Sequence, residues 1–490
     1  MSGRRLLKDL LTYGWGEIVL KASAFLTLPL YTRLLDPADY GVWSFVTTSA
    51  ALVTTLVGLG GETAYSRFYH EAKSEEERQR LTSTWLAFLS AWSLGLTLMA
   101  LPFMGPLAGW GLGDPAHGLL FALAMLAVPV GLINGTCGQV LRNRFEARAF
   151  VALNVVSTLL SIAASLLGAF ALRLGLVGIL GGALVAALVM LPVRLYTVKA
   201  MLRPRFSGAL LGEFLCFGLP LVPTALAYWI FAASDRLMLA KLSSVDQVGF
   251  YAVALQVTSA LNLVNVALGQ AWGPYAIRMN EDSPEAASVF FGRAMTYLLV
   301  GFGLLCVLLT AFGPDVIALV AAPAFSPSAA AIGPLALAMA ASATTQVTAL
   351  GISLTKKTGY LAVYAWGVAI LNVVLNLWLL PRWGMVGAGI SMAIAYVVLT
   401  AAYLLKSQQL LPIRYERRRA FVTIGVTLAL TAALSVLPLP QTLWGLVLKA
   451  GTGIVFLTLL VVLGALDRRD GSLLRAWWRE ARQNRLSPIP

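Results

Sequence analysis

Long apolar stretches alternate with short polar segments along almost the whole chain. A helix needs about 20 mostly apolar residues to cross the hydrocarbon core of a bilayer. Fourteen stretches meet this criterion, and we expect transmembrane helices near 10–32, 41–60, 82–104, 117–140, 150–171, 176–197, 211–232, 248–273, 291–312, 329–353, 360–380, 385–405, 420–437 and 442–465. The pattern therefore predicts an all-α integral membrane protein with 14 transmembrane helices.

The composition and the charge distribution agree with this prediction. Of the 490 residues, 59% are hydrophobic and 12% are charged, whereas soluble domains carry about 25% charged residues. The formal charge of +14 does not require a nucleic-acid partner, because Lys and Arg accumulate in the cytoplasmic loops of membrane proteins. Twenty-nine of the 36 Lys and Arg fall on one side of the predicted helices and five on the other. We therefore expect both termini in the cytoplasm.

Several segments of the first half recur in the second half at a nearly constant distance. LLKDLLTYG at 6–14 matches LLGEFLCFG at 210–218, and RLGLVG at 173–178 matches RWGMVG at 382–387, at offsets of 204 and 209 residues. Shorter matches pair 32–35 with 235–238 and 39–43 with 247–251, at offsets of 203 and 208. An even number of spans separates the copies, so we expect two parallel six-helix lobes. Such repeats place a transport site at their interface and allow alternating access.

The repeat defines the expected domain organisation. The first lobe covers 1–205 with helices 1–6, and the second covers 206–410 with helices 7–12. Two additional helices follow over 411–466. The tail at 467–490 carries Trp477 and Trp478 beside arginines, which favours a basic helix lying on the anionic inner leaflet.

The stretch 371–389, which contains the second copy RWGMVG, is predicted to form a helical hairpin and has polar residues inside an apolar helix. Asn372 and Asn376 lie one helical turn apart, and a break follows at Pro381 and Gly384. Polar groups inside a bilayer need partners, so the asparagines favour helix–helix contacts or a wet cavity. Gly387 allows the next helix to pack closely. We expect these five residues to act in helix packing or gating.

The chain resembles the multidrug/oligosaccharidyl-lipid/polysaccharide (MOP) exporter superfamily. The resemblance rests on LTLPLYTRLLDPADYG (26–41), SDRLMLAKLSSVDQVGFYAVAL (234–255) and LNVVLNLWLLPRWGMVGAGIS (371–391), and it covers essentially the whole chain. Within the superfamily, the sequence is most similar to the polysaccharide-transport branch of Wzx-type lipid-linked oligosaccharide flippases, which includes O-antigen flippases. The resemblance implies a multi-pass protein of the bacterial inner membrane that exports a polyprenyl-diphosphate-linked glycan for surface polysaccharide such as lipopolysaccharide. It also implies lipid partners and cooperation with glycan polymerase and chain-length proteins.

Ionisable side chains in or near spans are the candidates for substrate contact, because each costs about 2.5–3.5 kcal/mol on insertion scales. The candidates for the cavity are Glu17, Lys21, Arg33, Arg67, Asp235, Arg236 and Arg278. We place Asp235 and Arg236 at the end of helix 7. Each candidate has a structural alternative: Glu17 and Lys21 neutralise each other, the arginines are interfacial anchors, and Asp235 pairs with a nearby arginine.

Motifs of other protein classes do not occur in the sequence. It contains no phosphate-binding G-x-x-x-x-G-K-[ST] loop, no HExxH and no nucleophile elbow. We therefore expect no enzyme, no catalytic residue, no metal site and no cofactor. Whether transport is coupled to Na⁺, to H⁺ or to no ion stays open. The alternative functions are a lipid II flippase of the peptidoglycan branch, a MATE-type multidrug or cation antiporter, and a scaffold for glycan assembly.

Overall fold

The computed structural model describes residues 23–467 apart from positions 24, 26, 204 and 438, and these described residues are nearly all helical, without a strand. Glu17, Lys21 and the predicted tail after Asp467 lie outside the described residues. The α-helices within the described ranges are α1 Pro37–Val57, α2 Gly61–Glu71, α3 Glu75–Ala100, α4 Met104–Leu112, α5 Gly118–Asn143, α6 Ala147–Leu166, α7 Gly175–Thr197, α8 Gly208–Gly218, α9 Val222–Leu242, α10 Val245–Asp282, α11 Pro284–Val320, α12 Ala329–Thr348, α13 Leu350–Leu354, α14 Gly359–Leu410, α15 Arg417–Val436 and α16 Leu443–Val462.

Twelve helical runs in the described part of the chain are long and apolar enough to cross a membrane. Eleven of them coincide with one predicted span each, and the run Gly359–Leu410 contains the two predicted spans 360–380 and 385–405. The first predicted span, 10–32, falls largely outside the described residues. The chain is thus a multi-pass, all-α membrane protein, as the apolar pattern predicted.

Capping residues explain where several helices begin. The Asp36 side chain accepts a hydrogen bond from the Asp39 backbone N–H at 2.8 Å, and Pro37 occupies the first turn of α1. Ser74 caps α3 in the same way through the Glu77 N–H. Because α2 and the start of α3 are helical, the charged segment 61–81 extends the spans.

The predicted end of helix 7 was wrong. The apolar pattern ended helix 7 at residue 232, before Asp235 and Arg236, whereas α9 continues to Leu242. Both residues therefore lie inside the helix and not at its end. The helix passes through these polar positions because both side chains find hydrogen-bond partners on neighbouring helices.

The predicted hairpin is present as a kink inside α14. Gly384 has φ 50° and ψ −130°, a conformation that favours glycine, whereas Pro381 stays within the helical run. Gly175, at the matching position of the first copy, also has a positive φ, of 53°. A Cβ atom on Gly387 would lie 2.6 Å from the Leu379 carbonyl oxygen, so glycine allows the two halves of α14 to pack closely.

The described residues form two compact units. Unit 1 comprises the described parts of Met1–Gln256, Ala318–Ser328 and Ala365–Ser391. One of its cores packs Tyr65, Trp85 and Phe214 from α2, α3 and α8.

Unit 2 comprises the described parts of Val257–Ile317, Ala329–Tyr364 and Met392–Pro490. In its core, Val307, Val426 and Phe456 join α11 to the additional helices α15 and α16. The division into lobes at 1–205 and 206–410 stays a prediction.

Candidate functional site

A buried carboxylate lies in the middle of α9. The Asp235 side chain is 1% exposed and is held by two donors. The Tyr251 hydroxyl donates to Oδ2 at 2.8 Å, and the Asn376 amide donates to Oδ1 at 2.6 Å. Asp235 forms no ion pair with any residue that the structure describes. Its partners are therefore a tyrosine and an asparagine, and not the arginine that we expected.

The two asparagines of α14 and Ser391 complete a hydrogen-bonded group around this carboxylate. The Asn376 amide also donates to the Asn372 Oδ1 at 3.2 Å, as their i,i+4 spacing allows. The Asn372 amide donates to the Ser391 hydroxyl at 3.1 Å, and that hydroxyl donates to the Asn372 carbonyl at 3.2 Å. We call Asp235, Tyr251, Asn372, Asn376 and Ser391 the carboxylate–amide cluster.

The kink in α14 makes this cluster possible. It folds the second half of the helix back, so that Ser391 reaches Asn372, 19 residues earlier in the chain. The kink also frees backbone groups, and the Met385 N–H donates to the Gln247 side-chain carbonyl at 3.0 Å. A Cβ atom on Gly384 would lie 2.6 Å from that same oxygen. Glycine at this position therefore allows the positive φ angle and also leaves room for the Gln247 side chain.

The cluster can hold a proton or a hard monovalent cation. A carboxylate in a buried position needs a proton, a cation or several donors to offset its lost hydration. The Asn376 Oδ1 is also buried and finds no donor among the described residues. Carboxylate, amide and hydroxyl oxygens are hard ligands, and the described residues contain no group of three or more His, Cys, Asp or Glu that would hold a transition metal.

The two repeat-related arginines have different surroundings. Arg236 is half-buried, and its guanidinium donates to the Thr48 hydroxyl on α1 at 3.1 Å. Its Nε is buried and finds no acceptor among the described residues. Arg33, its counterpart in the first half, is exposed. Arg236 therefore lies directly beside Asp235 of the cluster within α9.

Arg67 and Arg278 both form ion pairs with acids one turn further along their helices. The Arg67 Nε lies 2.8 Å from Glu71, and its guanidinium lies 4.5 Å from the centre of the Phe217 ring. Arg67 also lines a polar pocket of about 390 Å³ with Ser66, His70 and Arg142. Arg278 lies 3.9 Å from Asp282, and both side chains are largely exposed.

Two further buried cations were not among the sequence candidates. Arg194 is 6% exposed, and its guanidinium donates to Asn154 Oδ1 at 2.8 Å, to Ser157 Oγ at 2.9 Å and to the Asn134 carbonyl at 3.2 Å. Lys449 is fully buried, and its ammonium lies 2.6 Å from Asp315. The position of Lys449 inside the predicted span 442–465 was a sequence signal for this buried ion pair. Arg194 instead resembled one more cation at a cytoplasmic helix end.

The comparisons with known proteins come from sequence and from structure. The chain matches the family described as "Polysaccharide biosynthesis protein" over residues 6–280, which is more than half of its length. No curated protein matches it.

The fold is similar to that of the lipid II flippase MurJ in an inward closed conformation, with a TM-score of 0.73, 13% identity and coverage of 95% of this chain and 99% of that one. It is also similar to an inward-facing multidrug resistance MATE transporter of the MOP superfamily (TM-score 0.61, 16% identity, 79% and 94% covered). A MATE transporter from Vibrio cholerae has a TM-score of 0.59 and 15% identity, with 83% and 96% covered. At these identities, the likeness concerns the fold.

Proposed function

The chain belongs to the polysaccharide biosynthesis protein family, within the MOP superfamily, and from this premise we propose that it is a lipid-linked oligosaccharide flippase. It moves a polyprenyl-diphosphate-linked oligosaccharide from the cytoplasmic to the outer leaflet of the bacterial inner membrane, for surface polysaccharide synthesis. The observation that carries this proposal is the family match over residues 6–280, in a chain whose described residues include twelve helical runs able to cross a membrane. Its termini lie in the cytoplasm, and it acts without catalytic residues of its own.

Physical chemistry explains why such a substrate needs a carrier. An isolated charge in hydrocarbon costs tens of kcal/mol by Born estimates, so a diphosphate with sugars does not cross unaided. Related halves that rock against each other can expose the head group to one side and then to the other, while the isoprenoid tail stays in lipid. Membrane lipids, a glycan polymerase and chain-length proteins are the partners that fit this role.

The carboxylate–amide cluster is the site that we propose for coupling to an ion. The buried Asp235 carboxylate changes its net charge when it takes up H⁺ or Na⁺. Asp235 lies in α9, whereas Asn372 and Ser391 lie on the two sides of the α14 kink. Uptake of an ion would therefore alter the contacts that hold three helical segments together. Export would then draw on an ion gradient or on the membrane potential, which supplies about 2.3 kcal/mol per charge per 100 mV.

Cationic residues are proposed to meet the diphosphate. Of the described candidates, Arg67 is supported by the polar pocket that it lines together with Arg142, because arginine binds phosphate oxygens with two parallel N–H groups. Arg33 and Arg236 are proposed to act at the exit. Lys21, which lies outside the described residues, is proposed from the sequence alone as a further contact for the diphosphate.

Transport in reconstituted vesicles tests the proposal. The full chain is inserted into vesicles that carry a fluorescent polyprenyl-diphosphate oligosaccharide, and a membrane-impermeant glycosidase reports which sugars have reached the outside. Export that depends on the protein, and that slows after Arg67→Gln, is the expected result. Absence of export by a correctly inserted protein would favour a scaffold and contradict the flippase.

Lipid II is the second substrate to compare, because the fold is similar to the lipid II flippase MurJ over 95% of the chain. The same vesicles are loaded with fluorescent lipid II or with a cationic dye in parallel. We expect the oligosaccharide carrier to move at least tenfold faster than either. Preferential movement of lipid II would support the peptidoglycan role, and preferential movement of the dye would support a MATE-type antiporter.

A further inference from the structure

An apolar groove of about 450 Å³ runs between three helices of unit 1 and ends at an arginine. Leu86 and Ala87 of α3, Ile133 of α5 and Leu191 of α7 form its walls. Arg203 and Ser83 also line it, and the Arg203 backbone N–H donates to the Ser83 hydroxyl at 2.8 Å. The groove therefore has a polar end, marked by these two residues, and an apolar body.

The dimensions of the groove suit one leaflet of a bilayer. Ser90 lines the groove seven residues beyond Ser83 along α3, which corresponds to about 10 Å at 1.5 Å per residue. A single leaflet of the hydrocarbon core is about 15 Å deep. Large apolar side chains nearby, such as Trp92 and Val189, are exposed on the surface of the chain, as is usual for helices that face lipid. A hydrocarbon chain can thus enter the groove from the membrane.

The cation at the polar end is available to a ligand. The Arg203 side chain is 53% exposed, and its nearest acid is Glu76, at 3.8 Å and 72% exposed. An exposed pair at that distance contributes about 0–1 kcal/mol, so a phosphate can replace the carboxylate at little cost. Basic pockets between transmembrane helices commonly bind the head groups of anionic lipids.

We propose that this groove binds an anionic phospholipid, with one acyl chain against Leu86, Ile133 and Leu191 and the phosphate at Arg203. The charge of the site favours a phospholipid over the polyprenyl diphosphate carrier. Arg203 is the single cation among the described residues that line the groove, and a phosphodiester carries one negative charge, whereas a diphosphate carries more. Bound lipid fills the space between α3, α5 and α7 and joins these helices to the segment that follows α7.

Lipid titrations of the purified full chain test this proposal. Phosphatidylglycerol and phosphatidylcholine are added to the protein in detergent, and native mass spectrometry gives the affinity for each. We expect tighter binding of phosphatidylglycerol, and a loss of at least tenfold in its affinity after Arg203→Gln with phosphatidylcholine unaffected. Arg205→Gln is the matched control, because Arg205 is exposed in the same segment and does not line the groove. Its effect should stay within twofold.

A second variant tests whether the acyl chain occupies the groove. Ala87 is exposed to the groove, so Ala87→Phe fills it without disturbing a packed core, and the unfolding temperature of the lipid-free protein checks this. We expect Ala87→Phe to weaken phosphatidylglycerol binding at least fivefold. An equal loss of phosphatidylglycerol affinity after Arg205→Gln would show that the lipid is attracted by the positive charge of the whole segment and not by Arg203. That result would overturn the proposal. So would an unchanged affinity after Ala87→Phe, or displacement of phosphatidylglycerol by a lower concentration of polyprenyl diphosphate.

Discussion

Gly41 and Gly249 make reciprocal contacts with each other's helices. A Cβ atom on Gly41 would overlap the carbonyl oxygen of Val245, and one on Gly249 would overlap the carbonyl oxygen of Pro37. The sequence repeat relates these positions with the same offset of 208 residues, from Pro37 to Val245 and from Gly41 to Gly249. The first turns of α1 and α10 thus meet through equivalent surfaces, in the way that two copies meet about a twofold axis.

Alanine at either glycine should separate these helices. Because the added methyl group meets backbone and not a flexible side chain, Gly41→Ala and Gly249→Ala should each lower the free energy of unfolding by about 1–3 kcal/mol. Gly95→Ala is the control, since Gly95 lies within α3 with open space around it, and it should be neutral or stabilise by up to about 1 kcal/mol. Thermal unfolding in detergent measures all three. Equal unfolding temperatures for the wild type, Gly41→Ala and Gly249→Ala would show that the contact is not tight.

Local sequence patterns predicted the helices and the kink. The apolar stretches placed the spans, because burial in lipid depends on each stretch alone and not on its neighbours. The repeated R-x-G-x-V-G motif marked Gly175 and Gly384, which both have positive φ angles. Asn372 and Asn376 were expected to make contacts, and both are fully buried.

Long-range partners could not be predicted from local patterns. Asn376 and Asp235 are 141 residues apart in sequence, and only the tertiary fold brings them within 2.6 Å. The same holds for Arg194, whose acceptors lie 37 to 60 residues away on α5 and α6. A charged residue near a helix end is equally compatible with a solvated loop and with a buried contact. The predicted end of helix 7 was wrong for the same reason. The helix continues to Leu242 because Asp235 and Arg236 find partners on other helices, and the sequence does not identify those partners.

Replacement of the buried carboxylate should separate ion coupling from folding. Asp235→Asn keeps the shape of the side chain and one acceptor, but it cannot take up a proton and it weakens any cation site. We expect export of the lipid-linked glycan to fall at least tenfold and to lose its response to an imposed Na⁺ or H⁺ gradient. Asp246→Asn, the same change at an exposed position in the first turn of α10, should leave both unchanged. Gradient-driven export by Asp235→Asn at the normal rate would remove the cluster from the coupling mechanism.

The charge bias of the loops leads to a topology that reporters can measure. With both termini in the cytoplasm, the segment after α7 lies inside, and the turn between α4 and α5 lies outside. An alkaline phosphatase fusion, which is active only outside the cytoplasm, should be inactive at Arg205 and active at Asp114. Both residues are exposed in short connections, so an insertion there leaves the helices intact. The inverse pattern at these two positions would overturn the orientation.

The ion pair of Lys449 and Asp315 should attach the last additional helix to the rest of unit 2. Lys449 of α16 is fully buried, whereas Asp315 of α11 is about a quarter exposed. Removing one partner of a buried pair leaves an uncompensated charge and costs about 3–5 kcal/mol, while replacing both with apolar groups is often neutral. We therefore expect Asp315→Leu to be the more damaging single change, because it leaves the deeper charge unpaired.

A double-mutant cycle measures this coupling. Lys449→Met should destabilise less than Asp315→Leu, and the double variant should unfold within about 1 kcal/mol of the wild type. The exposed pair of Arg278 and Asp282 provides the comparison, since Arg278→Gln should change stability by less than about 0.5 kcal/mol. If the two single changes at Lys449 and Asp315 simply add in the double variant, the ammonium and the carboxylate do not stabilise each other. The attachment of α16 would then rest on apolar contacts such as Phe456 against α11, which pack in the same core.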